Sequence, residues 1–196
     1  MFKRNYKKIS AILLAAAMTF SLGAVQAAAQ ANGLPETQKL SFTATDLDGN
    51  EVTEKIFSEK DVTMVNIWGT FCSPCVSEMP DLAEISDSMP ENQQMVGLVI
   101  DVTDESDPNY ELAKKVLENA DATFTQIIAN DDFNELLYSV TGVPTTIFVD
   151  KEGRILGDPI VGNNVEEYKK RLEKYAKKYP VEENTAEEEN LTEKES

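Results

Sequence analysis

Cys72 and Cys75 are the only two cysteines in this 196-residue chain, and two residues separate them. The chain has no histidine, so a Ser-His-Asp or Cys-His site would lack its general base. A structural zinc site uses four ligands, usually Cys or His, and this pair supplies only two. A disulfide across two residues closes a very small loop and is a poor staple, because it removes little entropy from the unfolded chain. We therefore interpret the pair as a redox centre that needs no metal and no cofactor.

The elements around the pair explain how it could be reactive. The apolar run at 62 to 68, VTMVNIW, has the length and β-branched content of a central strand that is buried on both faces. Helical spacing begins at Ser73, so Cys72 would lie at a helix N-terminus, where unpaired N–H groups and the helix dipole stabilise a thiolate. We predict that Cys72 is the nucleophile and that Cys75, one turn inward, is the resolving thiol. Pro74 fits the first helical turn.

The other segments predict an α/β fold. Strands and helices alternate before a late hairpin, which favours a central mixed β-sheet flanked by helices on both faces. A further hairpin is predicted at the N-terminal side, around the turn at Asp46 to Gly49. The later predicted strands cover 95 to 101, 124 to 129, 144 to 150 and 154 to 160, and the predicted helices begin near Ser73 (with a kink at Pro80), Pro108, Phe133 and Val165.

The two ends of the chain differ in composition from this central region. Basic residues, an apolar run and then small residues make 1 to 27 a predicted secretory signal peptide, with an uncleaved membrane anchor as the alternative. The segment 28 to 38 is small and polar, as in a linker. We expect the ordered domain at 39 to 179. The segment 180 to 196 is rich in glutamate and is predicted to be a disordered acidic tail.

The charge balance limits the partners. The chain has 35 acidic and 18 basic residues, and removal of 1 to 27 would leave a net charge of −21, because four basic and no acidic residues lie there. Nucleic acid is therefore excluded as a partner, since it requires clustered Lys and Arg. Export would place the cysteines in a disulfide-permissive compartment, at the cell envelope or outside it. We expect the protein to be a monomer.

Two motifs carry a resemblance to a known family. The segment 68 to 75, WGTFCSPC, resembles the WxxxCxxC signature of thioredoxin-like proteins. Together with Glu78-Met79-Pro80 and with GVPTTIFVDKEG at 142 to 153, it is similar to the TlpA/ResA branch, whose members are exported disulfide reductases that are often tethered to a membrane. The resemblance covers about 38 to 178 and implies a thioredoxin-like fold.

The resemblance also implies roles for residues beyond the cysteines. Pro144 would be a cis proline that faces the cysteine pair, and the backbone at Val143, with Thr145 beside it, would pair with an extended substrate by strand addition. The implied partners are exported client proteins that contain disulfides and a membrane electron donor of the CcdA type, which would reduce the pair again after each cycle.

Two departures from the thioredoxin pattern affect the candidate site. Asn66 stands where cytoplasmic thioredoxins carry a buried Asp, and an amide cannot act as a base. Glu78, one turn after Cys75, is then the best candidate to tune the cysteines, with an exposed helical Glu as the alternative. Trp68 is either a lid beside the cysteines, as the resemblance implies, or a core aromatic at a strand end. Phe71 replaces the usual second aromatic and lacks an indole N–H.

Three other functions compete with a disulfide reductase. The same fold could run as a thiol oxidase, since the direction depends on the reduction potential. A peroxiredoxin-like peroxidase is disfavoured because no Pro-x-x-x-Thr-x-x-Cys element precedes either cysteine, and Thr70 lies only two residues before Cys72. A copper carrier typically needs His or a wider cysteine spacing.

Overall fold

The computed structural model describes residues 38 to 179, so the predicted signal segment and acidic tail lie outside the described residues. The strands are β1 (Thr43–Thr45), β2 (Glu51–Thr53), β3 (Val62–Trp68), β4 (Gln93–Val99), β5 (Gln126–Ile128), β6 (Thr145–Asp150) and β7 (Ile160–Val161). The α-helices are α1 (Ser73–Asp87), α2 (Pro108–Asn119), α3 (Asn134–Ser139) and α4 (Val165–Lys178), and 3-10 turns cover Glu54–Glu59 and Asp131–Phe133. No helix within residues 38 to 179 is long and apolar enough to cross a membrane.

Five strands form a mixed sheet in the order β5-β4-β3-β6-β7. Strand β3 pairs in parallel with β4 and antiparallel with β6, and all seven of its residues are buried. The central position of β3 explains its continuous apolar sequence, because helices or loops cover both of its faces. The cysteine segment follows the C-terminal end of β3, so it lies next to the central strand of the sheet. The predicted mixed sheet is confirmed.

The predicted late hairpin is antiparallel but less regular than its sequence suggested. Instead of one strand over 154 to 160, the chain makes a single bridge between Ile155 and Val149 and then pairs only through β7. Gly157 has a φ of +68°, and Pro159 has no N–H to donate to a ladder. These two residues divide the predicted strand.

Three long helices cover the first face of the sheet. Side chains of Val62, Met64 and Trp68 on β3 point to this face and pack in one core with α1, α2 and α4. These are alternate positions of the strand, as the pleat requires. Helix α1 continues through Pro80, which is exposed, and ends at Asp87. This face holds the cysteines and the buried polar residues of the candidate site.

The opposite face is covered by the N-terminal part of the domain and by short helices. Val65 and Ile67 of β3 contact this second core. Phe42 contributes an aromatic contact to Phe57, with ring centroids 5.8 Å apart, and another to Phe133 at 4.6 Å. The predicted N-terminal hairpin is confirmed as the antiparallel pair β1–β2. Helices thus lie on both faces, but only short ones on this side.

A close approach at Gly97 supports the strand end that precedes the cysteines. Gly97 on β4 pairs with Asn66 on β3 and with Gln126 on β5. A Cβ atom at position 97 would lie 1.9 Å from Oε1 of Gln126. The same oxygen accepts a hydrogen bond from the indole N–H of Trp68 at 2.9 Å. The absence of a side chain at Gly97 thus makes room for the amide that satisfies the buried indole.

We predict that Gly97→Ala destabilises the domain by about 1–3 kcal/mol, because Gln126 must move and leave the buried Trp68 N–H without its acceptor. Urea unfolding followed by the fluorescence of Trp68, the only tryptophan, measures the loss. Gly142→Ala is the matched control, since a Cβ there meets no atom within 4 Å, and we expect a change below about 0.5 kcal/mol. Equal stability of the two variants would contradict this account.

Candidate active site

Cys72 and Cys75 form a disulfide at the first turn of α1. Cys72 is the N-cap residue of the helix, and its side chain is 6% exposed, whereas Cys75 has no exposed surface. Cys72 is therefore the less buried of the two cysteines, and Cys75 offers no surface to a partner molecule. The predicted order of the two cysteines along the helix agrees with this difference in exposure.

The sulfur of Cys72 lies against the unpaired amides of the helix start. The N–H of Cys75 donates to Cys72 Sγ at 3.2 Å, and the N–H of Cys72 donates to the carbonyl of Gly69 at 3.1 Å. After reduction, the same Cys75 N–H and the positive end of the helix dipole would stabilise a thiolate at Cys72. The local sequence thus provides the electrostatic environment that a reactive cysteine needs.

The loop before β6 lies against the disulfide. The Val143–Pro144 peptide bond is cis, and the carbonyl oxygen of Val143 is 3.4 Å from Cys72 Sγ. A disulfide sulfur has no hydrogen, so this is a contact in the oxidised protein and becomes an available hydrogen bond once Cys72 is a thiol. On its other side, the carbonyl of Pro144 accepts a hydrogen bond from the N–H of Gly162 at 2.7 Å.

Val143 and Thr145, which flank Pro144, are placed differently. Val143 is half-buried and precedes β6, whose ladders begin at Thr145, so its peptide groups lie outside the sheet pairing. Thr145 is buried, and its hydroxyl donates to the carbonyl of Gly142 at 2.6 Å. The Thr145 side chain therefore closes the loop internally and has no surface to offer a substrate.

The two aromatic residues beside the cysteines lie in different environments, and the structure decides between the two alternatives for Trp68. Trp68 has no exposed surface and donates its indole N–H to Gln126, so in the oxidised protein it is a core aromatic and not a lid. Phe71, directly before Cys72, is 66% exposed. Burial at the end of the central strand explains the position of Trp68, because its side chain points into the helix-covered face.

A contact that the sequence did not indicate holds the segment between β3 and α1. The backbone N–H of Thr70 donates to both carboxylate oxygens of Asp101, at 3.0 and 2.9 Å, and its hydroxyl donates to Oδ2 at 2.6 Å. The side-chain amide of Asn109 in turn donates to the Asp101 carbonyl at 2.8 Å. These bonds position the turn that carries Phe71 and Cys72.

Glu78 lies in the interior, behind the cysteines. Its side chain has no exposed surface, which excludes the alternative of a solvated helical Glu. Asn66 Nδ2 donates to Oε1 at 3.0 Å, and the hydroxyl of Tyr168 lies 3.2 Å from Oε2. Burial raises the pKa of Glu78 above its ordinary value of 4.5, the bonds from Asn66 and Tyr168 offset part of this effect, and the negative charge of Asp81 adds to it.

Asn66 joins Glu78 to the adjacent strand. Its Nδ2 also donates to the hydroxyl of Thr146, the residue directly opposite on β6, at 3.2 Å. Its Oδ1 is buried and has no hydrogen-bond partner in the described part of the chain. Asn66, Glu78, Thr146 and Tyr168 thus form a buried polar cluster in an otherwise apolar core. No signal in the sequence linked Tyr168 or Thr146 to Glu78.

Comparison with known proteins gives the family. The model of the Redoxin family matches residues 30–175. The thiol-disulfide oxidoreductase ResA of Bacillus thuringiensis subsp. konkukian is 33% identical over 141 residues, which cover 70% of this chain and 74% of that protein. ResA of Geobacillus thermodenitrificans is 32% identical over 114 residues, or 58% of this chain and 62% of that one.

Solved structures agree with this result. The thioredoxin domain of a thiol-disulfide oxidoreductase from Bacteroides vulgatus superposes with a TM-score of 0.55 at 26% identity, over 70% of this chain and 97% of that domain. A thiol:disulfide interchange protein of Chlorobium tepidum reaches a TM-score of 0.58 at 23% identity, over 73% and 97% of the two chains, and supports the thioredoxin-like fold alone. The chain therefore belongs to the Redoxin family and is a ResA-like thiol-disulfide oxidoreductase, with Cys72 and Cys75 as its CxxC pair.

Proposed function

We propose that the protein acts as a disulfide reductase on exported client proteins. The observation that carries this proposal is the position of Cys72 Sγ, which lies 3.2 Å from the N–H of Cys75 and 3.4 Å from the carbonyl of Val143. The first contact stabilises a thiolate, and the second brings the backbone of a substrate-binding loop to the reacting atom. Both are needed for attack on a disulfide that lies within an extended segment of a client.

The reaction is a two-step exchange. The thiolate of Cys72 attacks one sulfur of the client disulfide, a mixed disulfide forms, and the second client sulfur leaves as a thiolate. Cys75 then loses its proton and attacks the Cys72 sulfur, which releases the first client sulfur and forms the Cys72–Cys75 disulfide. Two electrons pass from the protein to the client, and the two protons of the protein dithiol end on the client thiols. No cofactor takes part.

The client is bound by its backbone beside Cys72. The peptide groups of Val143 lie outside the ladders of β6 and can pair with an extended segment by strand addition. Phe71 is the exposed aromatic next to Cys72 and offers apolar contact to the client. Pro144 orients the loop, and the buried Thr145 supports it through Gly142. Trp68 serves this site indirectly, by supporting the strand end from within the core.

Glu78 is the proton acceptor for Cys75. The two residues are three apart on α1 and both are fully buried, so they lie on the same side of the helix. Burial raises the pKa of Glu78, and a carboxylate with a raised pKa is a stronger base toward a thiol. The amide of Asn66 cannot accept this proton as a carboxylate would, but its Nδ2 donates a hydrogen bond that holds the Glu78 carboxylate.

The proposal also includes the location of the protein, which its N-terminal segment indicates, and the reductant, which the family resemblance implies. Segment 1 to 27 directs export or anchors the protein, 28 to 38 links it to the domain at 39 to 179, and 180 to 196 is the acidic tail. The protein then works at the cell envelope as a monomer. A membrane electron donor of the CcdA type reduces the Cys72–Cys75 disulfide after each cycle.

The reduction potential decides between a reductase and an oxidase, and we predict a value near that of thioredoxin, about −270 mV. The equilibrium of the purified protein with glutathione or dithiothreitol buffers, read from the fraction of alkylated cysteines, measures it. A value near that of a strong oxidant such as DsbA, about −120 mV, would reverse the proposed direction.

We predict that Cys75→Ser traps clients as mixed disulfides through Cys72, whereas Cys72→Ser loses disulfide reduction altogether. The reason is that Cys75 is fully buried, whereas Cys72 is partly exposed at the start of the helix. Non-reducing electrophoresis of the purified variants with a model disulfide protein detects the trapped complex, and the double variant Cys72→Ser/Cys75→Ser is the control. Mass spectrometry that found Cys75 to be the first thiol alkylated in the reduced protein would contradict the assignment.

We predict that Glu78→Gln lowers the apparent pKa of Cys72, because the substitution removes a negative charge that disfavours the thiolate. The rate of alkylation of reduced protein, measured against pH, gives the apparent pKa. Asp81→Asn is the matched control, since it removes the same charge from an exposed position one turn along the helix, and we expect only a small effect. Superimposable profiles for wild type and Glu78→Gln would contradict a role for Glu78 in proton handling.

The stability of the oxidised protein provides a second measurement on the same variants. The pKa of Glu78 is higher in the folded than in the unfolded chain, so its stabilising contribution is complete below pH 4.5 and is lost as the pH rises through the raised pKa. Urea unfolding of the wild type should therefore show this loss above pH 4.5, and Glu78→Gln should not. A wild-type stability that rose through this range relative to Glu78→Gln would contradict the raised pKa.

A further inference from the structure

The hydroxyl of Tyr168 lies between two acceptors. It is 3.2 Å from Oε2 of Glu78 and 2.9 Å from the carbonyl oxygen of Gly162. The side chain has no exposed surface, so water does not reach it from the surface, and its third neighbour is the hydroxyl of Thr146. Burial raises the pKa of Tyr168 above 10.0, and the hydrogen bond of Thr146 lowers this pKa and offsets part of the effect of burial, so the hydroxyl keeps its proton at neutral pH. It therefore has one hydrogen for two acceptors.

The charge on Glu78 determines which acceptor receives this hydrogen. When Glu78 is ionised, the hydrogen is drawn to the carboxylate, because a charged acceptor forms the stronger bond, and the Gly162 carbonyl loses its partner. When Glu78 is protonated, its own O–H can donate to the Tyr168 oxygen, and the Tyr168 hydrogen can stay on Gly162. The Glu78 carboxyl, the Tyr168 hydroxyl and the Gly162 carbonyl then each have a hydrogen-bond partner.

Gly162 connects this hydroxyl to the cis-proline loop. Its carbonyl faces Tyr168, and its N–H donates to the carbonyl of Pro144 at 2.7 Å. Pro144 follows Val143, whose carbonyl is 3.4 Å from Cys72 Sγ. A continuous path of hydrogen bonds and backbone thus leads from the buried carboxyl of Glu78 to the loop that contacts the reactive sulfur.

Few other ionisable groups act on this path. On α1, Asp81 is the charged neighbour that affects Glu78, and Cys75 does not titrate while it is in the disulfide. The adjacent strands contribute the uncharged Asn66 from β3 and Thr146 from β6. Among the described residues, Glu78 is therefore the group whose ionisation can change the hydrogen bonding of Tyr168.

We propose that Tyr168 is a positioning residue that transmits the protonation state of Glu78 to the cis-proline loop through the carbonyl of Gly162. The proposal rests on the proposed function of Glu78 and extends it. Uptake of the Cys75 proton by Glu78 would return the Tyr168 hydrogen to the Gly162 carbonyl and so hold Gly162, whose N–H binds Pro144, in place. The step that forms the Cys72–Cys75 disulfide is thereby linked to the loop that holds the client.

Nuclear magnetic resonance of the oxidised full-length protein tests the path without any client. The amide nitrogen of Asn163 shares a peptide unit with the Gly162 carbonyl, so its chemical shift reports the hydrogen bond at that carbonyl. We expect the Asn163 amide nitrogen and the carboxyl carbon of Glu78 to titrate with the same midpoint in the wild type. An Asn163 shift that does not follow Glu78 would overturn the proposal, and this arm needs no substitution.

Tyr168→Phe separates the hydrogen-bond path from a through-space effect of the charge. We expect the Asn163 titration to disappear and the Glu78 midpoint to rise by about one pH unit, because the carboxylate loses a donor. A through-space effect would persist in this variant and would overturn the proposal. Tyr175→Phe is the matched control, since Tyr175 is a buried tyrosine of the same helix whose hydroxyl donates to the Leu156 carbonyl at 2.9 Å. In this control both titrations should remain.

A kinetic measurement tests the link to the reaction. We expect Tyr168→Phe to shift the pH profile of kcat/KM for reduction of a model disulfide protein, and Tyr175→Phe to superimpose on the wild type. An unchanged profile in Tyr168→Phe would overturn the positioning role. Failure of this proposal can be distinguished from failure of the proposed function. If the protein were an oxidase, or if Glu78 had no effect on the alkylation of Cys72, the titration of Asn163 in the oxidised protein would still be observed.

Discussion

The sulfur of Cys72 must be open to a partner and must also be stabilised as an anion, and this double requirement governs the arrangement around it. Burial alone would raise the pKa of a thiol, and full exposure would remove the benefit of a low-dielectric surrounding. The N-cap position of α1 meets both conditions, since the helix directs the N–H of Cys75 at the sulfur while Cys72 keeps a small exposed fraction of 6%. Cys75, one turn further, is necessarily buried.

Two segments lie against Cys72, namely the turn that precedes it and the cis-proline loop. Each of them is held by polar contacts to a different part of the sheet. Asp101, after β4, binds the backbone of Thr70, and Gly162, after β7, binds the carbonyl of Pro144. Both anchors lie at the ends of strands next to β3 or β6, so the sheet order determines the distance between the cysteine turn and the cis-proline loop. The contact of Val143 with Cys72 Sγ is therefore a result of strand pairing.

The buried cluster beneath the cysteines is costly for stability and useful for chemistry. An ionised carboxyl in an apolar core is expensive unless its oxygens are hydrogen-bonded, and Asn66 and Tyr168 supply those bonds. The cost appears as the raised pKa of Glu78. A carboxyl with a raised pKa binds a proton more readily than a solvated glutamate does, which suits it to proton transfer from a thiol.

Sequence alone determined the chemistry of this protein and the order of its parts. The CxxC spacing after an apolar run and before a helical pattern specified which cysteine caps the helix, because a helix N-terminus depends on local residues. The mixed sheet, the N-terminal hairpin and the cis Pro144 followed from alternation and from the family resemblance. Tertiary structure decided which aromatic is exposed, since the end of β3 directs Trp68 into the core whereas the following turn leaves Phe71 66% exposed.

Tertiary structure also decided what surrounds Glu78. Helical spacing placed Glu78 near Cys75, but the partners come from residues 12 and 90 positions away, Asn66 and Tyr168. Tyr168 satisfies the apolar pattern of α4 as well as any aromatic would, and its hydroxyl becomes informative only when the sheet brings α1 and α4 together. Contacts between elements distant in sequence depend on packing, for which a periodic pattern specifies the face and not the partner.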